Sequence, residues 1–325
     1  MIQLSVIIPT RNRASILKEA LESIEKQTLD KSLFEVIVID NGSSDNTSQV
    51  VNSFKDSIVH LSCISIPEPG LHIGRHAGLK AAKSDILVYA DDDIIAFPTW
   101  LEGVYESMQD PKVVLVGGKD LPKFEVEPPF WIKEMWYRMQ PDGHAMTELS
   151  LIDLGEEIKE IPPYYVYGCN YSVRKHIVLE AGGFHPDGMP WDKIVYRGDG
   201  EWYINNYISS KEYKVIYNPK ASVYHVTPKT RLTLDYFKKR AFCEGVEQSY
   251  DDLRYGNPHR YAQPAISWRH PTQLIKRLRQ WYKESKMTAY ERDIYKSKLI
   301  GYNYHQHMYN THADIKAWVH KESYI

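Results

Sequence analysis

The sequence lacks several features that would by themselves assign it to a functional class. It has only three cysteines among 325 residues, with no CxxC pair and no cysteine–histidine spacing of a zinc site. Its formal net charge of −2 argues against a nucleic-acid-binding protein, because phosphate backbones are bound by concentrated lysine and arginine. No apolar run approaches the roughly 20 residues that cross a bilayer, and no basic leader precedes the first run. We therefore expect a globular cytoplasmic protein that does not bind nucleic acid.

A glycine-rich phosphate loop is also missing. The first apolar run, Leu4–Ile8, continues into Pro9–Arg13, which contains no glycine. Dinucleotide-binding oxidoreductases carry G-x-G-x-x-G after the first strand, and sugar-nucleotide-forming nucleotidyltransferases usually have a glycine-rich loop there. The sequence therefore argues against both of these enzyme classes.

The first 120 residues alternate between two periodicities. Short apolar runs typical of buried strands are Leu4–Ile8, Phe34–Ile39, His60–Ile66, Ile86–Ala90 and Val113–Val116. Helical patterns lie between them, with one apolar face formed by Ile16, Leu17, Ala20, Leu21 and Ile24. This alternation predicts an α/β fold whose mainly parallel central sheet is flanked by helices. Ligands of such sheets bind beyond the carboxyl ends of the strands.

The pattern changes after about Gly118, where prolines and aromatic residues interrupt it. Short strands and a helix over Ser172–Ala181 are predicted next. From about Leu232 the chain is rich in helical patterns, which predicts a helical C-terminal extension.

Three aspartates, Asp91, Asp92 and Asp93, directly follow the predicted strand Ile86–Ala90. Adjacent carboxylates repel one another, so a divalent cation with oxygen ligands is a natural partner. The alternative is a solvated acidic turn or helix cap. Because the aspartates follow a strand of a parallel sheet, the position favours a binding site.

A second polar strand end begins at Asp40, whose carboxylate suits a nucleobase N–H. The Ser43–Asp45 turn that follows has an alternative reading as turn and helix-cap chemistry, which is plausible for Asp45. Arg75 lies near a predicted helix N-terminus, where its charge suits a diphosphate.

Three segments, in this order and spacing, resemble glycosyltransferase family 2: Ser5–Arg13, Val38–Asp45 and Asp91–Asp93. Gly168–Arg174 and Ala181–Phe184 are similar to the acceptor-side segment of that family, and Gly198–Trp202 is similar to its Glu-Asp-x-Glu-Leu base motif. The resemblance spans roughly residues 2–245. It implies the GT-A fold and the inverting transfer of a sugar from a nucleotide sugar.

The resemblance also implies roles for individual residues. The donor-binding residues would be Pro9, Thr10, Arg11, Arg13, Asp40, Ser43, Arg75, Asp91 and Asp92. Asp93 and His225 would ligate Mn²⁺ or Mg²⁺, although a strand-end histidine is more often satisfied by hydrogen bonds. Gly168, Asn170, Trp191 and Asp192 would lie on the acceptor side, with turn and packing roles favoured for the last two.

The catalytic base implied by the motif is Asp199. The sequence departs from the family here, because Gly198 stands where glutamate is usual. Glu201 is therefore a second candidate for the base.

These expectations divide the chain into a GT-A catalytic domain at residues 1–230 and the extension at 231–325. Residues 1–118 would form a nucleotide-binding half and 119–230 an acceptor-binding half. The basic amphipathic segment 272–286 is a candidate peripheral membrane contact. The expected function is transfer from a UDP- or dTDP-sugar to a glycan or lipid-linked acceptor in cell-surface polysaccharide biosynthesis. The alternative is a catalytically silent module that kept the fold and binds carbohydrate or nucleotide.

Overall fold

A computed structural model describes residues 1–68, 70–138, 142–256 and 284–325. The strands are β1 Leu4–Thr10, β2 Phe34–Asp40, β3 Leu61–Ser65, β4 Ile86–Ala90, β5 Ile94–Ala96, β6 Val113–Gly117, β7 Asp120–Phe124, β8 His144–Met146, β9 Leu151–Asp153, β10 Lys159–Glu160, β11 Asn170–Arg174, β12 Lys214–Tyr217 and β13 Val223–Thr227. The helices are α1 Ala14–Ile24, α2 Thr47–Ser53, α3 Leu71–Ala81, α4 Trp100–Ser107, α5 Phe130–Tyr137, α6 Lys175–Ala181, α7 Trp202–Ser210, α8 Leu234–Tyr255, α9 Ala289–Thr311 and α10 Ala313–Val319.

An eight-stranded mixed sheet has the order β10-β12-β6-β11-β4-β1-β2-β3. The run β4-β1-β2-β3 is parallel, so the carboxyl ends of these strands lie at one edge. The antiparallel strand β11 lies between β4 and β6. The predicted mixed, mainly parallel sheet flanked by helices is confirmed.

Both faces of this sheet are buried, because successive side chains of a strand point to opposite sides. Val6 and Ile8 pack in one apolar cluster with residues of α1 and α4. Ile7 packs in the other cluster with residues of α3, α6 and α7. The near-continuous apolar runs of β1, β2 and β4 follow from this burial on two sides.

A second, five-stranded sheet has the order β5-β13-β7-β9-β8. Its strand β5 begins just after the three aspartates, and β13 runs antiparallel to β5. The short segment between β4 and β5 therefore carries Asp91–Asp93 from one sheet to the other.

One predicted boundary is wrong. Ser172–Arg174 belong to β11, and the helix begins only at Lys175. Ser172 and Val173 are buried and pair with both β4 and β6, and Arg174 pairs with β4, so their environment in a central strand outweighs the local helical pattern.

The described residues separate into two compact units. The first contains 1–190, 200–232 and 322–325, with both sheets; the second contains 191–199 and 233–321. The predicted domain bounds of 1–230 and 231–325 stay a prediction. Most of the segment 272–286 lies outside the described residues. No helix in the described part of the chain is long and apolar enough to cross a membrane.

Helices α8 and α9 of the second unit approach each other closely at two glycines. A Cβ atom added to Gly245 would overlap the carbonyl oxygen of Lys298, and one added to Gly301 would overlap that of Phe242. Two buried polar contacts also join these helices: Ser249 Oγ lies 2.8 Å from His305 Nδ1, and the Tyr302 hydroxyl donates to Asp252 Oδ2 at 3.0 Å. Helices α8 and α9 are therefore in close contact at both glycines and at both polar pairs.

We expect Gly301→Ala to lower the free energy of unfolding by about 1–3 kcal/mol, because the new methyl group meets backbone that has no rotamer to change. Urea unfolding measures this. Alanine is otherwise the better helix former by about 1 kcal/mol, so a stabilised Gly301→Ala variant would contradict the close approach. Ile300→Ala, at an exposed position of the same helix, is the control and should change stability little.

Candidate active site

Asp92, the middle aspartate of the loop after β4, is tied to the end of β1. Its carboxylate is buried and accepts hydrogen bonds from Thr10 Oγ1 at 2.6 Å and Arg13 Nη1 at 2.5 Å. The two groups meet because β1 and β4 are adjacent and parallel. Burial raises the pKa of Asp92 to about 7, although Arg13 opposes this. The structure thus brings three of the predicted donor-binding residues together.

Asp93 lies among two guanidinium groups and an imidazole. Its Oδ2 accepts from Arg13 Nη2 at 2.8 Å and lies 3.1 Å from Arg231 Nη1. Its Oδ1 lies 3.3 Å from Nε2 of His225. Strand pairing produces this contact, since the Val226 N–H donates to the carbonyl oxygen of Asp93 at 2.8 Å. Burial opposes ionisation, but His225 and the two arginines hold the pKa of Asp93 well below its usual range.

His225 presents the nitrogen that a metal would use. Its Nδ1 donates to the carbonyl oxygen of Leu149 at 2.8 Å, so in the neutral ring Nε2 carries the lone pair. Within the described ranges, Nε2 and the facing Oδ1 of Asp93 are buried atoms without a hydrogen-bond partner. In the absence of a proton or cation, two such acceptors repel each other. The arrangement therefore fits a positive ion between them.

Asp91 completes a donor set for that ion. One carboxylate oxygen of Asp91, one of Asp93 and a ring nitrogen of His225 lie within 4.8 Å of one another. Burial and then the charge of Asp93 raise the pKa of Asp91, which is the expected effect of a carboxylate held near another one. Two carboxylates and an imidazole suit a divalent ion.

Arg231 is a site residue that the sequence reasoning missed. It ends a short 3₁₀-helix, Lys229–Arg231, and its side chain is 27% exposed beside Asp93. The sequence signal was weak, because a basic residue six positions after His225 has no pattern of its own. Arg13 and Arg231 therefore place two guanidinium groups beside Asp93 Oδ2.

The turns after β1 and β2 are joined by hydrogen bonds. Ser43 Oγ accepts from the Asn12 N–H at 2.9 Å, and the Ser44 N–H donates to Asn12 Oδ1 at 2.7 Å. Asn12 has a left-handed φ of 53°, which asparagine tolerates better than most residues. Asp40 Oδ1 accepts from the Ser43 N–H at 2.8 Å. Asp40 and Ser43 are thus brought together as the sequence suggested.

Asp45, Arg11 and Pro9 lie in or near these two turns. Asp45 Oδ2 accepts from the Ala14 N–H at 3.0 Å at the start of α1, and its Oδ1 accepts from the Thr47 N–H at 3.1 Å within its own turn. Arg11 is exposed at the surface. Pro9 packs under α3, where a Cβ atom on Gly74 would lie 2.9 Å from that of Pro9.

Arg75 forms a buried cluster with Glu201 and Gly168. Its Nη1 lies 3.0 Å from Glu201 Oε2, and its Nη2 donates to the Gly168 carbonyl at 3.1 Å. The Gly168 N–H donates to the other oxygen, Oε1, of Glu201 at 3.2 Å. The guanidinium also lies 5.0 Å from the centre of the Phe184 ring. Burial opposes the charge on Arg75, but Glu201 and Asp91 raise its pKa above the usual value.

Asn170 is engaged inside the fold. Its Nδ2 donates to Asp120 Oδ1 and to the Ala221 carbonyl, each at 3.0 Å, and its Oδ1 accepts from Trp100 Nε1 at 2.9 Å. Asp120 is equally buried, and burial raises its pKa to about 7. An acceptor contact by Asn170 would have to replace one of these bonds, so its geometry favours a supporting role.

Asp199, Trp191 and Asp192 belong to the second unit. Asp199 is buried, with 3% of its surface exposed. Trp191 is half exposed, lies 5.3 Å from the Phe242 ring and has Lys239 Nζ 4.6 Å from its ring centre. Asp192 is exposed. Trp191 thus packs against side chains of α8.

The architecture is shared with a solved structure. It is similar to the mannosyltransferase PcManGT from Pyrobaculum calidifontis, solved in complex with GDP-Man and Mn²⁺, with a TM-score of 0.59 and 17% identity over 95% of this chain and 88% of that one. This likeness establishes the architecture, which is the GT-A fold of glycosyltransferases. The aspartates follow the carboxyl end of β4, the position expected for a ligand site in such a sheet, and His225 of β13 lies beside Asp91 and Asp93.

The family follows from the sequence comparisons. Residues 5–161 match the model of glycosyl transferase family 2. A glucosyl-dolichyl phosphate glucuronosyltransferase of Haloferax volcanii is 27% identical over 78% of this chain and 78% of its own length. A validoxylamine A glucosyltransferase of Streptomyces hygroscopicus subsp. jinggangensis is 34% identical over 58% of this chain, and the match spans about half (48%) of that relative. On this match the segment 5–161 belongs to glycosyltransferase family 2, and the relatives that match are sugar-transferring enzymes.

Proposed function

We propose that the protein is an inverting glycosyltransferase that moves a sugar from a UDP- or dTDP-sugar to a hydroxyl of a glycan or lipid-linked acceptor. The observation that carries this proposal is the pairing of two buried acceptors, His225 Nε2 and Asp93 Oδ1, beside Asp91. A role in cell-surface polysaccharide biosynthesis is part of the proposal. The name of the Haloferax volcanii relative includes a dolichyl phosphate, which supports a lipid-linked acceptor.

Asp91, Asp93 and His225 would hold the cation, and the imidazole in this set favours Mn²⁺ over Mg²⁺, which prefers oxygen ligands. A bound divalent ion supplies stabilisation for the negative charge that grows on the leaving diphosphate. Arg13 and Arg231, now paired with Asp93 Oδ2, are suited to bind diphosphate oxygens beside it. The hydrogen bond from Nδ1 to the Leu149 carbonyl orients His225 and leaves Nε2 to face the ion.

The nucleobase would be recognised near Asp40. This carboxylate lines a cavity of about 520 Å³ together with polar residues that include Asn52 and Ser65. A carboxylate accepts well from the N3–H of uracil or thymine, which supports a UDP- or dTDP-sugar. The hydrogen-bonded turns that contain Asn12 and Ser43 would hold this carboxylate in place.

We propose Asp199 as the base that takes the proton of the acceptor hydroxyl. Both oxygens of the rival, Glu201, already accept hydrogen bonds, one from Arg75 and one from the Gly168 N–H. A carboxylate whose two oxygens are both held by such donors is less available to take the proton of an acceptor hydroxyl. Glu201 would instead hold Arg75 and the Gly168 backbone in position.

A donor screen tests the proposed function. We expect Mn²⁺ and a UDP- or dTDP-sugar together to raise the melting temperature, because both bind only the folded state, and neither alone to give the full shift. The measurement is thermal unfolding with a panel of UDP-, dTDP- and GDP-sugars, with Mn²⁺ or with a chelator. A shift confined to GDP-sugars would overturn the donor assignment. No shift and no nucleotide release with any donor would favour the silent module.

A further inference from the structure

A cavity of about 580 Å³ in the first unit plays no part in the chemistry described above. Its wall includes three tyrosines, a tryptophan and two charged residues: Tyr164, Tyr165, Tyr167, Trp202, Arg138 and Glu148. Cavities of this size, lined mainly by apolar and aromatic side chains with a few polar groups, are typical of small-molecule sites. The cavity is therefore a candidate for a second binding site of the enzyme.

Tyr164 and Trp202 form its most distinctive surface. Their ring centres are 4.5 Å apart and the ring planes are tilted by 37°. Trp202 keeps 41% of its surface exposed, although a ring of this size normally gains by burial. The Tyr164 hydroxyl donates to Asn206 Oδ1 at 2.8 Å, which holds this ring in place. The pair is thus an ordered aromatic surface that still faces solvent.

The cavity adjoins the Arg75 cluster, because two residues that line the cavity are sequence neighbours of two residues in the cluster. Trp202 directly follows Glu201, and Tyr167 directly precedes Gly168. Glu201 and Gly168 are joined by the hydrogen bond from the Gly168 N–H to Oε1. A ligand on the aromatic surface would therefore lie next to the residues that position Arg75.

A sugar ring matches the chemistry of this cavity. One face of a pyranose presents C–H groups, which pack against the electron-rich face of an aromatic ring, while its edge presents hydroxyls. Polar groups at the cavity wall, including Glu148 and the Tyr165 hydroxyl, can pair with such hydroxyls. A bare lipid chain would use the aromatic rings but has no hydroxyl groups to pair with these polar groups.

We propose that this cavity binds a pyranose ring of the acceptor, with Trp202 and Tyr164 as the stacking surface. This proposal rests on the transfer reaction proposed above. The acceptor is then a molecule that already carries a sugar. It is neither a simple alcohol nor a lipid phosphate without a sugar. Trp202 and Tyr164 determine acceptor specificity and take no part in donor binding.

Saturation-transfer NMR on the full chain tests this with methyl glucoside, methyl galactoside, methyl mannoside, methyl N-acetylglucosaminide and maltotriose as probes. We expect ring C–H protons of at least one probe to receive saturation from the wild-type protein. Trp202→Ala should weaken that binding by about tenfold, which corresponds to about 1.4 kcal/mol. Trp202→Phe keeps an aromatic ring and should restore most of it. Phe130→Ala removes an exposed ring that does not line the cavity and is the matched control.

Nucleotide binding is followed in the same samples through UDP with diamagnetic Mg²⁺, so that loss of the donor site is recognised separately. The proposal is overturned if a wild-type protein that binds UDP transfers saturation to no pyranoside. Equal pyranoside signals in wild type and Trp202→Ala also overturn it. If Trp202→Ala instead removes the uracil signals and leaves the pyranoside signals, the cavity belongs to the donor and the proposal is wrong.

Discussion

Asp93→Asn lowers metal-dependent nucleoside diphosphate release by about 10³-fold or more, as expected when a preorganised electrostatic contact at the developing charge is lost. The amide is neutral, so it binds a divalent ion weakly and no longer balances Arg13 and Arg231. The measurement is the initial rate of release over a Mn²⁺ titration. The half-saturating Mn²⁺ concentration should rise together with the loss of rate.

Two controls make this result specific to the cation site. Asp56→Asn changes an exposed aspartate outside the site and should leave the Mn²⁺ titration unchanged. Thermal unfolding without metal shows whether Asp93→Asn still folds, since the substitution also removes a buried charge. A folded Asp93→Asn protein with wild-type Mn²⁺ dependence would contradict the assignment of Asp93 as a ligand.

Asp199→Asn is expected to lower sugar transfer by about 10²–10⁴-fold, the range that a positioned general base contributes. Because the base acts on the acceptor, the thermal shift produced by donor and Mn²⁺ should persist in this variant. Transfer is measured with saturating donor and a sugar-bearing acceptor, and the donor shift is measured on the same preparation. Measuring the transfer rate and the thermal shift together distinguishes a loss of catalysis from a loss of donor binding.

Glu201→Gln is the matched comparison for Asp199→Asn. It removes the charge that faces Arg75 but keeps an oxygen that accepts from the Gly168 N–H. We expect a smaller loss of rate than in Asp199→Asn, because Glu201 acts here by positioning. If Glu201→Gln is the slower of the two variants, Glu201 is the base and the assignment of Asp199 is wrong.

Much of the fold could be predicted because its signals are local. The strands over Leu4–Ile8, Phe34–Ile39 and Ile86–Ala90 appear within a residue or two of their predicted bounds. Buried strands require apolar runs of a limited length, and such runs can be read without knowing their neighbours. The helix predicted over Ser172–Ala181 is partly wrong because Ser172–Arg174 pair with β4, and the first two of them also with β6, which the local pattern does not record.

The candidate site could be predicted only as a set of separate segments. Its aspartates, Asp40 and His225 were found from strand ends and from the resemblance to a family. Their mutual contacts depend on strand order, which brings β1 beside β4 and β13 beside β5. Arg231 and Asp120 were missed, because single residues of these types have no distinguishing spacing.

By itself, the sequence determined the alternation of strands and helices, the acidic strand end and the resemblance to glycosyltransferase family 2, because periodicity and turn chemistry act over a few neighbouring residues. Only the tertiary structure decided that Asp93 faces His225, that Glu201 is held by Arg75, and that Tyr164 and Trp202 form one exposed aromatic surface. Each of these contacts joins residues far apart in the chain. Pairing and packing of whole elements bring them together, and no local pattern encodes that.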